Sequence, residues 1–203
     1  MKRVLFVALL ALALPMAVFA SSSTDFTASG GTLSGLSGGL TLSGSTLTTV
    51  NGLYGMGLDS GMLGSVSLST GALLSSIYTK GVLTSATFAS GGSLVITGNG
   101  TDGIPSGTIF TGAFTNVDPT TLTKFGSNYI LSGTFAGTLS NGTAVSGTLV
   151  VLTSPAGGKG YLGQIGVGSV DINMSPVPEP GTLTLLGTGL VGLAGAIRRK
   201  LVA

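Results

Sequence analysis

The chain has no cysteine, no histidine and no tryptophan. Each absence removes a class of chemistry. Without cysteine there is no disulfide and no thiolate metal site. Without histidine, Ser-His-Asp and Cys-His nucleophilic sets cannot form, and no imidazole is offered to a metal. Without tryptophan, a stacking platform for sugars would fall to Tyr54, Tyr78, Tyr129 or Tyr161. Each of these is expected in the core or a sheet instead. Charge is also scarce, at 7% of residues, against a usual share of roughly 25%. Aromatics make up 6%, too few for the girdles of an outer-membrane barrel. No window between 24 and 175 keeps a 3.6-residue apolar period over three turns, so no long helix is expected there.

What is present is glycine, hydroxyls and aliphatics. Glycine is 36 of 203 residues, hydrophobic residues are 43%, and the net charge is +2. Disorder needs low hydrophobicity and high net charge, so a folded domain is expected. The glycine content makes ordering it costly in backbone entropy. The basic pI of about 9.1 suggests nucleic acid, but the bases sit at the ends: Lys2, Arg3, Arg198, Arg199 and Lys200. Between 21 and 175, Lys80, Lys124 and Lys159 face Asp25, Asp59, Asp102, Asp118 and Asp171, three against five, for a net −2. That middle has no basic patch for phosphates, and no nucleic-acid partner is expected.

The N-terminus reads as a secretory signal. Met1-Lys2-Arg3 is a positive n-region, Val4–Leu14 an unbroken apolar run, and Pro15 a helix breaker. Val18-Phe19-Ala20 suits signal peptidase, with cleavage after Ala20. The run is short for an uncleaved membrane span of about 20 residues.

Along the middle, apolar and small polar residues alternate. The segments are LTLS (40–43), SVSLS (65–69), SLVIT (93–97), TIFTGAF (108–114), YILSGTFAGTL (129–139), TAVSGTLVVL (143–152) and GQIGVGSVDI (163–172). Period two with β-branched residues predicts strands. Turn chemistry separates them: NG (51–52), GNGTDG (98–103), VDP (117–119), SNGT (140–143) and SPAGG (154–158). The expectation is an all-β domain, an antiparallel sandwich or barrel-like fold of about 8–11 short strands. A degenerate β-roll is the alternative; the uneven spacing of Ser-Gly pairs argues against a strict solenoid.

The chemistry-bearing patterns are weak. GLSGG (35–39) matches a nucleophile elbow around Ser37, a chance match in a Gly/Ser-rich chain without histidine. Asp59 in DSG lacks the second copy that an aspartic-protease dyad requires. Asp102 in GNGTDG is expected in a turn rather than as a calcium ligand, since calcium needs six or more oxygens. A Ser-Lys pair has nothing to single it out. No catalytic residue, metal site or cofactor is expected. Thr rows such as TLTT (46–49) would make an ice-binding face only as a regular ladder.

The C-terminus is the informative stretch. Pro178-Glu179-Pro180 is held extended by its prolines. Gly181–Ile197 follows, 17 residues without a charge, roughly 25 Å as a helix. That is slightly short of a hydrocarbon core of about 30 Å and fits a thinned or snorkelled span. Arg198, Arg199 and Lys200 then form a topological stop on the cytoplasmic side. The segment from Val177 to about Leu201 resembles the PEP-CTERM protein-sorting signal, a module that also goes by the name ice-binding protein C-terminal domain. The resemblance covers about an eighth of the chain and implies recognition at Pro178, Glu179 and Pro180 by a membrane-embedded exosortase-type processing enzyme. It further implies delivery to the cell surface or extracellular matrix of a Gram-negative bacterium, often with exopolysaccharide. The expected organisation is a signal peptide at 1–20 with its helix, an exported Gly/Ser/Thr-rich β-domain at 21–175, and a sorting segment at 176–203 with a transmembrane helix at about 181–197. The expected partners are signal peptidase, the exosortase-type enzyme, the inner membrane and exopolysaccharide. The expected function is that of a non-enzymatic structural protein of surface, matrix or biofilm, with a glycan- or ice-binding β module as the alternative.

Overall fold

The alternation of apolar and hydroxyl side chains becomes twelve antiparallel strands in the computed structural model, which describes residues 23–156, 160–161, 163–177, 187–189 and 192. They are β1 (Thr24–Ser29), β2 (Thr32–Leu36), β3 (Gly39–Asn51), β4 (Asp59–Ser69), β5 (Leu73–Thr79), β6 (Val82–Phe88), β7 (Gly91–Asn99), β8 (Ser106–Phe114), β9 (Thr120–Phe125), β10 (Asn128–Leu139), β11 (Ala144–Thr153) and β12 (Gln164–Pro176). Twelve exceeds the sequence expectation. The unexpected strands are β1, β2, β5, β6 and β9, which are short, and in β5 and β6 the alternation is interrupted by register shifts.

The pairings close on themselves. β3, β4, β7, β8, β10, β11 and β12 run side by side. β12 returns to β3 through β1 at one end and β2 at the other. β1 and β2 thus share one position, broken at Gly30-Gly31. Gly31 has φ +87°, and a Cβ there would lie 2.6 Å from the Ser43 carbonyl oxygen, so only glycine lets the two strands meet. The wall is a barrel of eight positions, a size whose interior side chains just fill.

The filling is apolar. Phe26, Leu42, Val66, Ile96, Phe110, Phe135, Leu149 and Ile172, one from each position, are all buried. Burial of each such side chain contributes about 1.5–3 kcal/mol. Phe110 and Phe135 meet edge to face at 5.4 Å, a geometry favoured by the ring quadrupole. Glycines in neighbouring strands make room for them. A Cβ at Gly137 would stand 2.6 Å from Phe110 Cζ, and one at Gly147 would stand 2.8 Å from Phe135 Cζ. Part of the glycine content therefore serves packing within strands rather than turns.

β10 also carries a branch. Its Phe135–Leu139 half pairs with β8, while Asn128–Ser132 pairs with β9. β6 and then β5 continue outward from β9, and β5 ends the sheet. Ser22–Pro176 forms one compact unit. Among the described residues no helix is long and apolar enough to cross a membrane. The expected signal segment and most of the expected membrane helix lie outside the described residues; residues 187–189 and 192 of the latter are helical.

Candidate functional site

The approach to the sorting segment is rigidly held. β12 is paired on both sides, to β1 and to β11, as far as Met174. Pro176 is still opposite Val145, and Val177 is exposed. Thr24 at the start of β1 stands opposite Met174. The chain therefore enters and leaves the barrel at the same end. Pro178, Glu179 and Pro180 begin two residues after β12, and they, Arg198, Arg199, Lys200 and Ala20 lie outside the described residues.

The other candidates fall mostly in turns. Ser37 lies between β2 and β3, and its carbonyl accepts from the Leu73 N–H at 3.1 Å. Asp59 opens β4 opposite Val50. Asp102 adopts φ 51° in the β7–β8 turn. There Asn99 Oδ1 accepts from the Thr101 N–H at 3.1 Å and from its hydroxyl at 2.6 Å, an Asx turn. The Asp118 N–H donates to Thr134 Oγ1 at 3.4 Å. Lys80 takes φ 51° in the β5–β6 turn, and Lys124 Nζ donates to the Gly126 carbonyl at 2.8 Å. Lys159 lies outside the described residues.

Asp25 and Asp171 line one depression. They stand on the outer wall with Asn173, Thr27 and Thr148, around an open depression of about 280 Å³. The Asn173 amide donates to Asp25 Oδ1, and Ser169 Oγ donates to Asp171 Oδ2 at 3.4 Å. Among the described residues no three acidic side chains gather to hold a metal.

One surface feature is set by register rather than by any local run. Strand register lines up outward residues across the wall and the branch, hydroxyls except for Asp171 and Val150. Ser60, Thr49, Thr27, Asp171, Val150, Ser132, Thr121, Thr87 and Ser75 form one continuous row of opposed residues. A second row runs Thr108, Thr97, Ser65, Thr46, Ser29 and Ser169. All of these side chains face away from the core, none being fully buried. Within the first row Thr121 and Ser132 share a hydrogen bond at 3.2 Å. The alternation in each strand signals an outward hydroxyl; only the register places it beside the next.

The tyrosines divide. Tyr54 and Tyr78 are exposed, and Tyr54 shares a hydrogen bond with Ser140 at 2.5 Å across two turns. Tyr129 and Tyr161 are buried edge to face, 5.8 Å apart. The Tyr129 hydroxyl donates to the Leu83 carbonyl at 2.7 Å and accepts from the Tyr161 N–H at 3.0 Å. The Tyr161 hydroxyl donates to the Gly35 carbonyl at 2.6 Å, and burial pushes its pKa up to about 12.

Residues 176–200 match the PEP-CTERM protein-sorting motif. No curated protein and no solved structure matches the chain. The sorting motif implies a protein that is exported, anchored in a membrane through its C-terminal segment, and processed by exosortase, a membrane enzyme.

Proposed function

We propose, from the premise of that sorting motif, that the barrel is a non-enzymatic structural protein of the cell surface or extracellular matrix of a Gram-negative bacterium, embedded in exopolysaccharide. The observation that carries this reading is the pair of hydroxyl rows on the outer wall. Neutral hydroxyls both donate and accept, as sugar hydroxyls do, and a surface poor in charge keeps such contacts insensitive to salt. Each contact contributes only about 0.5–1.5 kcal/mol, so many must act together along a polymer. The same rows support a second reading, a glycan-binding module. Its ice-binding form is disfavoured because ice presents a flat lattice and a closed barrel wall is curved.

The test is co-sedimentation of the processed protein, collected from its host, with that host's exopolysaccharide. Changing Thr27, Thr46 and Thr49 together to Val preserves shape and strand propensity while removing three hydroxyls. Retention is expected to fall about tenfold or more, the equivalent of roughly 1.4 kcal/mol. Equal retention of variant and parent would sink the proposal. Saturation by a short oligosaccharide, rather than by polymer alone, would favour the binding-module form.

A further inference from the structure

β5 is an edge without the charge or proline that commonly protects one. From Leu74 to Thr79 its backbone pairs with β6 alone, and its other edge has no strand partner among the described residues. Leu74 is 67% exposed, Ile77 61% and Tyr78 54%. The strand LLSSIYT holds no charge, proline or glycine. A row of free N–H and C=O groups beside apolar side chains is a template for another strand, and proteins ordinarily blunt such edges with charges, proline or bulges. Here the two register shifts lie toward the strand ends, between Leu73 and Ser75 and between Ile77 and Tyr78, leaving Ser75–Ile77 regular.

We propose that β5 pairs antiparallel with β5 of a second copy of this chain, about a two-fold axis at Ser76. The choice of partner rests on self-complementarity, which a two-fold contact demands. An axis normal to the sheet keeps every side chain on its own face, so opposed residues must be an even number apart. The register centred on Ser76 meets this condition and uses the whole regular run. It sets Ser76 opposite Ser76, Ser75 opposite Ile77 of the second copy, and Leu74 beside Tyr78 of the second copy at both ends. Serine meets serine or an aliphatic edge, and aliphatic meets aromatic, a favourable cross-strand pair. Charge permits it as well. Lys80 is the charged residue next to the strand, and in this register the two Lys80 residues stand about eight steps apart, roughly 27 Å at about 3.4 Å per residue. That is beyond a Debye length of about 8 Å, so they do not repel. The branch β10-β9-β6-β5 would continue through the axis into its copy as one sheet.

The absence of cysteine makes the register directly measurable. The full chain carrying Ser76→Cys is expressed with its own signal in a Gram-negative host, whose periplasm is oxidising. Directly opposed residues bring their Cβ atoms to about 4.5–5.5 Å, a small adjustment from the span of a disulfide. A reducible band at twice the chain mass is expected on a non-reducing gel. Ser146→Cys, exposed on β11, is the control and is expected to give little of it. Adding Leu74→Lys and Tyr78→Lys to Ser76→Cys sets like charges opposite each other and should reduce the band to the control level. Adding Leu74→Lys and Tyr78→Glu should restore it, which a folding defect would not allow. The proposal is overturned if Ser76→Cys cross-links no more than Ser146→Cys, if its adduct is with a different protein, or if the two-lysine variant cross-links as well as Ser76→Cys alone.

Discussion

At the scale of the residue, the clearest chemistry is a buried phenol. Tyr161 closes the connection between β11 and β12 onto β2 by donating to the Gly35 carbonyl. Its pKa is pushed up to about 12 from 10.0 by burial. The unfolded chain therefore loses this proton first as pH rises. Above about pH 10 the unfolded state binds fewer protons than the folded one, so stability falls with pH through the window from about 10 to about 12. Below pH 10 the contribution is fully present. Denaturant titrations across this range should show a decline in the parent that is shallower in Tyr161→Phe. Parallel curves for the two proteins would contradict the assignment.

At the scale of the element, the branch depends on β10, the one strand that pairs with β8, β9 and β11. Tyr129 is its tie. Its N–H donates to Thr153 Oγ1 at 2.8 Å, at the end of β11, and its hydroxyl reaches the Leu83 carbonyl on β6. The same hydroxyl accepts from Tyr161, so one oxygen joins β6, β10 and the β11–β12 connection. Tyr129→Phe keeps the ring and leaves two buried backbone groups without this partner. A loss of about 1–3 kcal/mol in unfolding free energy is expected, measured by chemical denaturation. A change below about 0.5 kcal/mol would mean that water replaces the hydroxyl.

At the scale of the whole molecule, the start of β1 and the end of β12 lie side by side at one rim of the barrel. The sorting triplet follows the end of β12 by two residues in the sequence. The matched motif includes the triplet, with Glu179 the charged group between two prolines. In the native host, Glu179→Ala should retain an unprocessed C-terminus and stay with the membrane fraction. Mass spectrometry of the mature end and cell fractionation check this. An identical end and location in variant and parent would show that the triplet does not direct sorting.

Much of this protein was legible in its residues. The period-two runs at 93–97, 108–114 and 129–139 lie in strands β7, β8 and β10, and the run at 143–152 lies in β11 from Ala144 on, because alternation specifies a half-buried strand locally. The turn sequences at 51–52, 98–103 and 140–143 mark strand ends and connections for the same local reason, with Asn51 closing β3 and Asn99 closing β7. The Pro-Glu-Pro, apolar and basic order carried the sorting motif, which is a linear signal read without a fold. Strands β5, β6 and β9 were not legible, since weak alternation and register shifts erase a short-range pattern. Closure, the branch and the hydroxyl rows were decided by tertiary structure alone. Each depends on which strand stands beside which and in what register, and β1 and β12, which pair, lie far apart in the chain, Thr24 standing opposite Met174. Local sequence determines that Val95 alternates with Leu94 and Ile96; only the closed wall sets Thr27 between Thr49 and Asp171.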